Sequence, residues 1–160
     1  MEPDANPFAV LSLIVAPAIL TNASSVLVMS TSNRLARAVD RARELSKQLE
    51  MAPAAAESAR RLDELGATER RALLLLKGLR GFYGALGGFA LATLFSLLGA
   101  VLAPAGYLLP VRILEVAGVL SGVLAVAALV YGSVLLLKDT RIAVQVLTQR
   151  AANVRARTEP

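Results

Sequence analysis

The sequence predicts an all-α integral membrane protein, with three transmembrane helices and cytoplasmic helical extensions that form a hairpin. Three observations carry this. Residues 8–29 and 81–103 hold no charged side chain, and residues 111–137 hold only Arg112 and Glu115 near their start. About 20 apolar residues suffice to cross the hydrocarbon core. Basic residues cluster outside these blocks, with eleven Lys/Arg between Arg34 and Arg80 and five after Leu137. The polar stretch between the first two blocks keeps apolar residues at helical spacing.

In chain order, residues 1–6 are an external N-terminus and residues 7–32 the first span. Asn6 and Pro7 suit a helix start, as N-cap and first helical residue. The flank carries Glu2 and Asp4 rather than Lys or Arg. The apolar run is also too long for a signal-peptide core, so a membrane helix is expected. Pro17 should bend it. Residues 33–80 form the cytoplasmic hairpin. Leu35, Ala38, Ala42, Leu45 and Leu49 recur at alternating steps of three and four, a heptad seam. Met51-Ala52-Pro53 breaks the helix, a second piece runs over residues 54–65, Gly66 reads as its stop and Thr68 as the next cap.

Residues 81–103 are the second span, closed by the breaker Ala103-Pro104-Ala105-Gly106. Residues 104–110 are a short external loop, with Tyr107 suited to the water–lipid interface. Residues 111–137 are the third span, and residues 138–160 a cytoplasmic extension and tail. Ile142, Val146 and Leu147 continue an apolar stripe, and the last ten residues should fray. With three spans, both basic regions fall on one side, which the positive-inside rule makes cytoplasmic.

Composition narrows the chemistry. The chain is 56% hydrophobic and 4% aromatic, with no cysteine and no histidine. Disulfides, Cys/His metal sites, thiol nucleophiles and imidazole acid–base catalysis are excluded together. No phosphate loop, paired catalytic carboxylates or nucleophile elbow is present. No catalytic residue, cofactor or metal ligand is therefore assigned, and a non-enzymatic protein is expected. The net charge of +5 sits at span ends, where lipid headgroups rather than nucleic acid account for it. The Asn22-Ala23-Ser24 glycosylation triplet lies inside a span and is discounted.

Three constellations remain. Ala18, Thr21, Asn22, Ser25, Met29, Ser32 and Asn33 share one sector of the first helix. Polar groups there need another helix, another subunit or water. They either line a pore or hydrogen-bond between helices. Gly84 with Gly88, and Gly118 with Gly122, make two GxxxG seams. Such seams pack spans two and three together or serve self-association. Arg112 and Glu115 stand at helix-pair spacing, as an ion pair or an external ion site.

Pro17-Ala18-Ile19-Leu20, Asn33-Arg34-Leu35 and Val39-Asp40-Arg41-Ala42-Arg43 followed by Leu45 resemble an uncharacterised bacterial family of small three-span membrane proteins, the domain-of-unknown-function family 2721. The resemblance covers residues 8–147 and is specific over residues 17–45. It implies a bacterial inner-membrane protein with cytoplasmic helical extensions, and it carries no activity. Asn33, Arg34, Asp40, Arg41 and Arg43 would be its signature positions, where the first helix leaves the bilayer. Arg34, Arg37 and Arg41 can reach phosphates or a neighbouring helix there, and Asp40 can pair with Arg43 or Arg37. The expected partners are the bilayer, anionic headgroups at the Arg/Lys clusters, and a second copy or another membrane protein. The leading expectation is an assembly or scaffold protein. The alternative is a homo-oligomeric channel lined by the first span.

Overall fold

A computed structural model describes residues 7–51 and 55–158, with side chains described for residues 15–51, 55 and 57–148. The expectations for the 1–6 segment, the Asn6 cap and the Ala52-Pro53 breaker lie outside the described residues. The chain is an all-α membrane protein. Helix α1 spans Pro7–Glu50, α2 spans Ala55–Leu102, a 3-10 turn covers Ala103–Ala105, and α3 spans Leu108–Thr158. The helices hold 44, 48 and 51 residues. Each is about twice the length a bilayer requires. All three are long and apolar enough to cross a membrane.

The chain divides into two compact units, to both of which every helix contributes. One comprises Met1–Met29 and Arg80–Tyr131, the other Ser30–Leu79 and Gly132–Pro160. The first takes in residues 81–103 and most of 111–137, and the last six residues of that third block fall in the second unit. The core of the first unit joins Ala85, Phe89 and Ala125, with Leu20, Ala128 and Leu129 packed against them. Phe82, Ala92 and Ser24 are also buried there. Leucine and valine side chains elsewhere on these segments point outward, Val101, Ile113, Val123 and Leu124 among them. Outward apolar faces are what lipid tails solvate.

The second unit holds the hairpin and the α3 extension. The Arg61 guanidinium donates to the Gln48 carbonyl at 3.0 Å, and Arg41 pairs with Glu64 at 2.6 Å. These contacts tie the end of α1 antiparallel to the start of α2. Ala38, Leu45, Leu75 and Leu135 are its buried apolar side chains. On α3, Ile142 and Val146 are half-buried and Leu147 is exposed.

Each helix buries one seam with a seven-residue step. On α1 the buried positions are Ser24, Thr31, Ala38 and Leu45; on α2, Thr68, Leu75, Phe82 and Phe89; on α3, Gly118, Ala125, Gly132 and Asp139. A seven-residue repeat keeps one face of a helix turned toward its neighbours over many turns. The seam expected over Leu35–Leu49 is seen, with Leu35, Ala42 and Leu49 half-buried beside Ala38 and Leu45.

Four local expectations are corrected. Gly66 does not stop a helix, because α2 runs unbroken from Ala55 to Leu102. Thr68 is not a cap; its hydroxyl donates to the Glu64 carbonyl one turn back, at 2.8 Å. Contacts on both sides of Gly66 hold the helix together and outweigh the roughly 1 kcal/mol helical penalty of glycine. The loop over residues 104–110 is shorter than expected. The 3-10 turn ends at Gly106, whose φ of 78° suits glycine, and α3 begins at Leu108. Pro110 is accommodated in the first turn of α3, where backbone N–H groups have no helical partner. The last ten residues were expected to fray, yet α3 continues to Thr158.

Candidate functional site

The second unit carries a cavity of about 430 Å³ whose lining is dominated by arginine. Helix α1 contributes Arg34, Arg37 and Arg41, with the buried Ala38. Steps of three and four residues put these side chains on one helical face. Helix α2 contributes Thr68 and Arg71, and α3 contributes Asp139, Thr140 and Ala143.

Asp139 is the fixed point. It is 1% exposed, and its Oδ1 accepts from Arg71 Nε at 2.9 Å. A carboxylate so enclosed requires a charged partner, and α2 supplies it. Arg41 is held at one side by Glu64, through Nε at 3.1 Å and a terminal nitrogen at 2.6 Å. Arg34 reaches only the Thr140 hydroxyl, at 3.5 Å, the outer limit of a hydrogen bond. Arg37 is exposed and makes no ion pair with any described residue. Four guanidinium groups and one carboxylate, Asp139, thus line the cavity, and Glu64 pairs with Arg41 from outside the lining, so the cavity is net positive.

Of the positions singled out where the first helix leaves the apolar block, Arg34 and Arg41 come together here, whereas Asp40 and Arg43 are exposed and do not line the cavity. Asp40 forms neither pair expected of it: the described ion pairs are Arg41–Glu64, Arg61–Glu57 and Arg71–Asp139. Arg112 and Glu115 likewise stay apart, both exposed. Exposed pairs gain little over hydration, so neither spacing enforces contact. Arg71 and Asp139 were missed. Asp139 falls on the step that runs through Gly118, Ala125 and Gly132, and that phase would have marked it as buried.

In the first span, Asn22 and Ser25 are exposed and Thr21 and Ser32 half-buried; Asn33, just beyond it, is exposed. The hydroxyls are satisfied locally: Thr21 donates to the Pro17 carbonyl at 2.8 Å and Ser25 to the Thr21 carbonyl at 3.0 Å. The Asn22 amide has no hydrogen bond from any described residue. The buried hydroxyls are instead Ser24 and Thr31, on the heptad step below Ala38 and Leu45.

The glycine seams divide. A Cβ on Gly88 would lie 2.7 Å from the Ala125 Cβ and 3.2 Å from the Ser121 carbonyl oxygen, and one on Gly118 would lie 3.5 Å from Phe95. Gly88 and Gly118 are therefore contact points between α2 and α3. Gly84 is looser, 3.9 Å from Ala128 on the same test, and Gly122 meets nothing within 4 Å.

A family model described as protein of unknown function, DUF2721, matches residues 14–149. No curated protein and no solved structure matches the chain.

Proposed function

We propose, for a chain that belongs to the DUF2721 family, a non-enzymatic role as a self-assembling membrane scaffold. The observation that carries this is Asn22. Its amide lies within the first apolar block, seven residues before Met29, or about 10 Å along the helix. It is exposed and has no hydrogen-bond partner among the described residues. An amide facing hydrocarbon is strongly unfavourable unless another group hydrogen-bonds it. A second copy presenting its own Asn22 supplies both donor and acceptor, a contact of roughly 1 kcal/mol in a membrane. The unoccupied space at Gly122 offers room for a close approach on α3.

The chain sits in a bacterial cytoplasmic membrane, with its N-terminus outside and its C-terminus inside. The basic clusters over residues 34–80 and after Leu137 support this orientation. The second reading is a homo-oligomeric channel. It is favoured by the exposure of both Asn22 and Ser25 on one side of α1, which a water-filled axis would also satisfy.

The chain contains no cysteine, so single cysteines report cleanly. Ser25→Cys, exposed one turn from Asn22 with the amide kept, should form disulfide-linked dimers on oxidation in the membrane, and Leu124→Cys, on the side of the third span away from Gly122, should not. Asn22→Leu should shift the assembly toward monomer, measured as mass in mild detergent. A monomeric wild-type protein whose Ser25→Cys variant never cross-links would end the assembly reading. Conductance in a planar bilayer that Asn22→Leu abolishes would select the channel.

A further inference from the structure

We propose that the arginine cavity of the second unit binds a phosphate group, carried by an anionic lipid headgroup or by a soluble phosphate. The inference is independent of whether the chain self-associates. It rests on how the four guanidinium groups are used. Arg71 is committed to Asp139 and Arg41 to Glu64. Among the described residues, Arg34 has one marginal hydrogen bond and Arg37 has no hydrogen bond or ion pair.

Three like charges on one helical face repel one another at steps of three and four residues. The structure neutralises only part of that charge, so an anion entering the cavity relieves the remainder. Guanidinium is a planar fork whose paired N–H groups match two oxygens of one phosphate. The cavity, at about 430 Å³, holds many times the roughly 30 Å³ that one water occupies in the liquid. A phosphate group with part of its hydration shell fits that space.

The charge ordering also distinguishes a built site from diffuse attraction to a surface. Asp139 is buried and fixes Arg71 from beneath, and Glu64 fixes Arg41 at one edge. Two guanidiniums are thereby held in place while Arg34 and Arg37 stay available. Asp139 and Thr140 follow the end of the third apolar block by two and three residues, a position compatible with a headgroup. The cavity is open enough for a free anion as well.

The test uses the full-length chain in nanodiscs and reads the shift in thermal unfolding temperature. One arm titrates inorganic phosphate, against chloride at equal ionic strength, into discs of phosphatidylcholine alone. The other arm compares discs of phosphatidylcholine with discs containing a graded minority of phosphatidylglycerol. Arg37→Gln removes an exposed, unpaired guanidinium and leaves the buried Arg71–Asp139 pair intact, so folding is preserved. Arg43→Gln removes an equal charge from α1 outside the cavity. Saturable stabilisation is expected in at least one arm, with Arg37→Gln weakening the apparent affinity about tenfold, equal to about 1.4 kcal/mol, and Arg43→Gln changing it less than about twofold. A response to inorganic phosphate identifies a soluble ligand, and a response to phosphatidylglycerol alone identifies the headgroup. The proposal is overturned if neither arm saturates, if Arg37→Gln behaves as wild type, or if Arg43→Gln weakens binding as much as Arg37→Gln.

Discussion

Asp139 is the buried carboxylate of the second unit. It is charged, enclosed and dependent on one donor, Arg71, at 2.9 Å. Arg71→Met should lower unfolding stability in detergent by about 3 kcal/mol, because removing one partner leaves the other charge buried and unpaired. Arg71→Met combined with Asp139→Leu should recover much of that loss, since a matched apolar pair avoids desolvating two ions. A double variant no more stable than the single one would show that the pair acts through something other than mutual neutralisation. Arg34 and Arg41 were legible from the sequence as a basic group leaving the first span. Their complement was not, because Arg71 and Asp139 are 68 positions apart and charge counting assigned Lys138 and Arg141 to a basic tail. Local pattern fixes which face a residue occupies, not which distant residue meets it.

Along the helices, legibility followed period. The α1 seam over Leu35–Leu49 was readable because Leu and Ala alternate with charges. The same seam through Thr31 and Ser24 was hidden, since small hydroxyl residues look polar, although the Ser24 hydroxyl returns to the Leu20 carbonyl of its own helix. Gly66 misled for a related reason: glycine signals a stop only where contacts do not hold the helix on both sides. No Cβ clash exists there, so Gly66→Ala should raise stability by about 0.5–1 kcal/mol, seen as a higher unfolding temperature. Gly88→Val should act oppositely, forcing α2 from α3 at the Ala125 contact and lowering stability by about 1–3 kcal/mol. A neutral Gly88→Val variant would mean that this close approach does not form in the membrane.

For the whole chain, the three apolar blocks fixed the architecture before any tertiary detail entered. Their length, their lack of charge and the basic clusters beside them reflect one requirement: hydrocarbon accepts a helix only when its backbone is internally bonded and its outer face is apolar. The outward Val, Leu and Ile side chains of the first unit satisfy that requirement. What covers the Asn22 face was not legible, because one sequence records no partner.

Cysteine accessibility across an intact membrane tests the three-span arrangement most directly. Ala105 and Asp63 are both exposed, and the chain has no native cysteine to interfere. An impermeant maleimide added outside intact cells should label Ala105→Cys at once, and Asp63→Cys only after the membrane is opened. Labelling of both positions from the same side of a sealed membrane would contradict three crossings.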